Sequence, residues 1–361
     1  MTKTSIKFPP QANSEFTSQL RKKVKDYFLQ NNISKFGNHS IVSKSFLMLI
    51  LYLLPYFLML TGVVSSLALS TLCWFVMGLG MAGLGMAIMH DSIHGSYSKF
   101  SFVNKLMSGS LFLLGGFPPN WKYQHNLLHH GYTNITGIDQ DIRPIPLLRF
   151  SPHTPLKKIH RFQFIYAWFF YGLMTLNWVT LKDFFQLYDQ KKNTASLKSL
   201  KDYYRNLSFI IVAKLLYHTV FLLVPLLFFG TPWYWTLIFF VMMHFVGGLI
   251  LSVIFQSAHV VTTTSFPLPN EKGVMATDRT IHQLLTTSDF APKNVILTWL
   301  IGGLNFQVEH HLFPTICHVH YKNISKIVRQ TAKNYDIPYL IQTSFFAALG
   351  NHTKMLWAMG R

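Results

Sequence analysis

The chain has 361 residues and a formal net charge of +19, from 32 Lys and Arg against 13 Asp and Glu. Only 12% of its residues are charged, while 50% are hydrophobic and 16% aromatic; an average soluble domain carries about 25% charge. This excludes a disordered basic tail, which is poor in aromatics. It also excludes a disulfide scaffold, because Cys73 and Cys317 are the only cysteines.

In chain order, residues 1–44 are polar and basic, with Lys3, Lys7 and a cluster at 21–25. A secretory signal would place its apolar region earlier, so none is expected. Between Lys44 and Asp91 the 44 residues 46–89 carry no charge. As helix they would reach about 66 Å, roughly twice a ~30 Å hydrocarbon core. They read as two spans, about 46–66 and 70–89, turning near Ser65, Ser66 and Ser70. A second hairpin is expected from spans at about 207–229 and 233–256, broken by Gly230-Thr231-Pro232 and belted by Trp233-Tyr234-Trp235. Lys214, two turns inside the third span, is expected to snorkel back to the interface.

The apolar stretch 162–180 is decided by loop charge. Residues 1–44, 91–161 and 181–206 are rich in lysine and arginine, the last holding Lys182, Lys191, Lys192, Lys198, Lys201 and Arg205. The hairpin turns carry no charge. Were 162–180 a span, the basic loop after it would lie opposite the basic loop before it, against the positive-inside rule. It reads as a helix on or dipping into the interface. The expectation is an all-α integral membrane protein of four spans with both termini and the long loops cytoplasmic: an N-terminal segment 1–44, a body 45–335 and a C-terminal tail 336–361. The basic face suits anionic lipid or an acidic partner. The basic residues flank spans and form no folded basic domain, so nucleic acid is not expected.

With 17 histidines in 361 residues, any one fixed spacing yields about 0.8 chance pairs and a given triplet about 0.04. The chain nevertheless contains His90-Asp-Ser-Ile-His94, His125-Asn-Leu-Leu-His129-His130 and Gln307-Val-Glu-His310-His311. Residues four apart share a helix face, and neutral imidazole suits iron, copper, zinc and nickel. One tetrahedral zinc takes about four ligands, so seven clustered histidines point to two metals. His90 follows the second span, and His259 ends the fourth at the same membrane face. Asp91, Glu309 and Asp141, with Asp139 more weakly, are candidates to orient the imidazoles from behind. The remaining histidines, His218 and His244 included, are assigned to packing; His318 and His320 lie close to the third box.

Gly78-Leu79-Gly80-Met81-Ala82-Gly83 matches G-x-G-x-x-G, but inside a span and without a βαβ unit. It is read as helix packing, and no nicotinamide is expected on this chain.

The three boxes in this order resemble the membrane fatty acid desaturases, from about Leu47 to Val328 and most closely from Gly302 to Pro314. That resemblance implies a cytoplasmic helical cap holding a non-haem di-iron centre ligated by His90, His94, His125, His129, His130, His259, His310 and His311. Gln307 would stand where many relatives have a ligand histidine, a feature of front-end desaturases, which place a double bond between an existing one and the carboxyl end. The His-Pro-Gly-Gly motif of fused cytochrome b5 is absent, so neither haem nor flavin is expected here. The resemblance implies a bacterial-type enzyme acting on long-chain acyl-CoA or acyl-lipid with O2, fed by a separate ferredoxin or cytochrome b5 with its reductase, in a bacterial inner membrane rather than endoplasmic reticulum. A membrane hydroxylase or ketolase with similar boxes is the nearest rival. A metal-ion transporter, which would hold its ligands at mid-membrane, is the rival from another class.

Overall fold

The computed structural model describes residues 6–9, 14–143, 145–193, 197 and 199–361; Lys3 and Lys198, counted above among the loop charges, lie outside them. Four helices are long and apolar enough to cross a membrane: His39–Leu60, Leu67–Ile93, Leu200–Phe228 and Trp233–His259. They form the two expected hairpins, with limits set by caps. Asn38 accepts a bond from Ser40 N and starts the first span early, and Ser66 caps the second by accepting from Leu69 N. The second and fourth are 72% and 50% buried against 39% and 28% for the first and third, so the former make the core and the latter face lipid.

Small residues allow that packing. A Cβ at Gly80 would stand 2.6 Å from Tyr52 N, and one at Gly78 would stand 2.8 Å from Met243 O. The glycine run is therefore a helix crossing, as expected of close-approach sites in membranes.

The stretch 162–180 departs from a single helix. It is part of two helices, Lys158–Gly172 and Met174–Lys192, bent by 55° at Leu173. The bend wraps the fourth span: Thr175 donates to His244 O (2.7 Å) and Ser252 donates to Tyr171 O (3.3 Å). Lys214 does not snorkel. It is buried, its ammonium 2.5 Å from Asp183 Oδ2 and 2.6 Å from Trp178 O, with Gly115 O as a third acceptor. A charge this deep holds its place only with a partner, and the bent helix supplies one.

Above the spans sits a helical cap. Phe16, Leu20 and Val24 of Ser14–Gln30 pack with Ile324 and Val328 of Tyr321–Asn334. A two-residue parallel pair, Asp289–Phe290 with Ile341–Gln342, closes it. The C-terminal helix Phe345–Met359 is folded onto the body: Arg149 donates to Met359 O (2.6 Å), and His352 bridges Tyr171 OH (2.8 Å) and Val260 O (2.7 Å).

Candidate metal centre

Local winding aims the histidines. The second span widens to π-type turns over Leu84–Met89 before His90–Ile93, and His94 caps that turn with its N–H on His90 O. Wide turns of this kind recur at functional sites. The second box lies in a π-wound stretch, Lys122–His129, in which His130 N donates to His125 O, five residues back (3.0 Å). Spacings of four and five then share one face, which is why His125, His129 and His130 all point inward. An α-helix would turn His130 about 100° away from His129. The third box, Gln307–Leu312, follows Gly302 and Gly303 at φ 61° and 68°. A Cβ on Gly302 would meet Met86 O at 2.6 Å, so glycine there lets the third box close against the second span.

The eight box and span-end histidines are brought together although they are up to 221 positions apart in sequence. Ligand nitrogens of His90, His94, His125 and His310 lie within 4.8 Å of one another, as do those of His129, His259 and His311. His130 sits between the sets, within the same limit of His310 and His311. Seven of the eight are buried, and of the partly exposed His94 the Nε2 atom is buried. His90 Nε2 and His130 Nε2 each approach His125 Nε2 to 3.3 Å.

Four of the histidines have a nitrogen tied on the outer side. His125 Nδ1 donates to Asp141 Oδ2 (3.0 Å), His129 Nδ1 to Asp139 Oδ2 (2.9 Å) and His311 Nδ1 to Gln283 Oε1 (2.9 Å). His310 Nδ1 lies 3.2 Å from Tyr321 OH. A carboxylate or amide oxygen only accepts, so His125, His129 and His311 carry their proton outward and present a bare Nε2 inward. Among the described residues, Nε2 of His94, His129, His310 and His311 and both nitrogens of His259 are buried without a hydrogen-bond partner. Burial lowers His125 to about 3 and holds His94, His130, His310 and His311 well below the usual histidine range. Neutral rings with unpaired, converging lone pairs are costly unless a cation takes them. The donor set therefore fits two adjacent metal ions, one per group of histidines.

Other candidate residues divide. Asp141 and Asp139 stand behind histidines. Asp91 approaches His90 Nδ1 only to 4.0 Å and is committed elsewhere, to His318 Nδ1 (2.7 Å) and Cys317 Sγ (3.0 Å). His318 Nε2 in turn meets Lys44 Nζ at 2.9 Å. Glu309 turns from the histidines to Asp289 and Tyr339, whose hydroxyl lies 3.1 Å from Glu309 Oε1 and 2.6 Å from Asp289 Oδ2. Burial raises Asp289 to about 6, and burial with the Asp289 charge drives Glu309 well above the usual carboxylate range. His244 bonds Tyr217 and Thr175, and His218 bonds Lys214 O, as packing residues do. Gln283, Thr133 and Tyr321 had no sequence signal, since each reaches a box histidine from a distant segment.

A cavity of about 770 Å³ opens on the centre. His90, His125 and Gln307 line it together with Met86, Met89, Phe170, Trp178 and Phe255; Gln140, Arg143, Lys182, Gln186 and Asp189 supply its polar wall. The arrangement can hold a long apolar chain across a metal pair while excluding water.

The chain matches the family model described as fatty acid desaturase over residues 65–343. It is 31% identical over 359 residues to the sn-1 linoleoyl-lipid 6-desaturase of Arthrospira platensis, covering 99% of this chain and 96% of the relative. It is 30% identical over 365 residues to the protein of the same name from Synechocystis sp., covering 100% and 99%. An acyl-lipid (8-3)-desaturase of Physcomitrium patens is 32% identical over 360 residues, 99% of this chain and 74% of the relative.

Proposed function

Because this chain belongs to the fatty acid desaturase family, we propose that it inserts a cis double bond into a long-chain acyl group of a membrane lipid, on the carboxyl side of an existing double bond. The relatives named 6-desaturase and (8-3)-desaturase support the position. The observation that carries the reading is the ring of converging, unpartnered histidine nitrogens at the side of an apolar cavity. The reaction balances as two hydrogens removed from adjacent methylenes, with one O2, two electrons and two protons giving two waters.

His90, His94, His125 and His310 would hold one iron and His129, His259 and His311 the other, with His130 between them and Gln307 beside them as an amide. Bound there, the iron pair supplies the activation of O2 that unactivated methylenes require. The remaining work belongs to the chain. Asp141 and Asp139 fix the tautomers of His125 and His129, as carboxylates behind ligand histidines do. Met86, Met89 and Phe255 shape a dry wall against which methylenes lie. The basic loops steer an acidic electron donor, a ferredoxin or cytochrome b5, by charge complementarity. Under the positive-inside rule those loops, and with them the centre, face the cytoplasm of a bacterial inner membrane, and the bent helices 158–192 dip into it from that face against the fourth span.

The test is the fatty-acid profile of a host expressing the chain and fed oleate and linoleate. A new double bond on the carboxyl side of an existing one is expected, lost in His310→Ala/His311→Ala. Hydroxy acids instead of a new double bond would move the reading to a hydroxylase.

A further inference from the structure

One wall of the cavity carries polar groups that the metal centre does not use. From His125 a row of hydrogen bonds runs outward: Asp141 accepts from His125 and from Gln124 Nε2, and Gln124 Oε1 accepts from Gln186 Nε2. Gln186 is 9% exposed, and its Nε2 keeps a second hydrogen beyond the one given to Gln124. One turn earlier on the same helix, Lys182 lies half-buried in the cavity wall with its ammonium 4.5 Å from the centre of the Trp178 ring. Among the described residues that ammonium makes no hydrogen bond or close ion pair; the Asp141 and Asp183 carboxylates act on it only at longer range. The adjacent Asp183 faces the other way, to Lys214.

A half-buried cation with no hydrogen bond, on the polar wall of the cavity, is costly to bury for packing alone. Of an acyl lipid, the ester is the first polar group that follows the chain inward, and its carbonyl only accepts. Lys182 offers three N–H donors and Gln186 one beyond its bond to Gln124. We propose that Lys182 and Gln186 bind the ester carbonyl of the acyl lipid, and so set how many methylenes separate it from the metals. The assignment rests on the carboxyl-side desaturase reading. An enzyme that counts from the carboxyl end needs that end held at a fixed distance, and Gln186 is joined to the ligand His125 through only two intervening side chains. Position along the chain is then fixed by a rigid row rather than by the depth of the cavity.

The experiment expresses the full chain in a host fed linoleate and reads double-bond position, product yield and iron per purified protein. Its variants are Lys182→Met, Lys182→Arg and, as a control of equal charge loss on the exposed end of the same helix, Lys192→Met. Lys182→Met is expected to keep its iron while yielding positional isomers displaced along the chain, with the parent product down at least fivefold. Lys182→Arg keeps the parent position, and Lys192→Met matches the parent. Parent-like product from Lys182→Met overturns the assignment, as does a loss of yield with the position unchanged. So does a joint loss of iron in Lys182→Met and Lys182→Arg, which would make Lys182 a packing residue on Trp178. A parent chain that carries iron yet makes no new double bond refutes the desaturase reading itself, and the ester assignment with it.

Discussion

Lys214→Met tests how the cavity wall is held. The Lys214 ammonium binds Asp183 Oδ2 at 2.5 Å and also serves Trp178 O and Gly115 O; the Asp183 side chain is fully buried and that of Lys214 is 9% exposed. Methionine fills the space but, among the described residues, leaves the buried carboxylate only Asn120 Nδ2 at 3.3 Å and takes one donor from each of two carbonyls. Breaking a buried pair from one side costs about 3–5 kcal/mol. At roughly 2 °C per kcal/mol for a chain of this size, the detergent-solubilised variant should melt about 6–10 °C below the parent. Replacing both partners, as Lys214→Met with Asp183→Leu, removes the orphaned charge and should recover at least half of that loss. The bend that presents Lys182 and Gln186 to the cavity is pinned at this point, so a folded Lys214→Met protein should also lose lipid selectivity. A melt within 1 °C of the parent would mean that Lys214 reaches the headgroups, and that this pin does not exist.

Two further outcomes follow from the same geometry. Asp141→Asn removes the charge behind His125 and should weaken metal binding about 10–100-fold, read by titration against a chelator; unchanged affinity would detach Asp141 from the centre. Burial lowers His352 from 6.5 to about 4. As pH falls from 7 to 4, the unfolded chain therefore takes up a proton that the folded one refuses, and stability is lost by up to about 3 kcal/mol. His352→Gln should flatten that part of the melting profile; an equal acid dependence in parent and variant would refute it.

How much of this could be read from the chain depended on whether partners were local. Box histidines at spacings of four and five, the uncharged runs and the Gly-Thr-Pro turn all announce themselves within a few residues. His259 was placed because a span end fixes which membrane face a residue reaches. Lys214 was misread because its partner Asp183 lies on another helix, and nothing near Lys214 distinguishes a buried pair from a snorkelling lysine. Glu309 adjoins His310 in sequence, but the short helix turns its carboxyl toward Asp289 and Tyr339, segments with no visible tie to the third box. The π winding of 122–129 was invisible for a related reason. H-x-x-x-H-H suits an α-helix for its first pair, and only the main-chain bond from His130 to His125 shows how the third ring joins them.

The claim on which the account stands is that these histidines hold two irons, and metal analysis of the purified chain tests it most directly. Two tightly held irons per chain are expected, falling below one in His310→Ala/His311→Ala, since His310 serves one histidine group and His311 the other. A single zinc, or metal that exchanges freely and survives that double substitution, would contradict it.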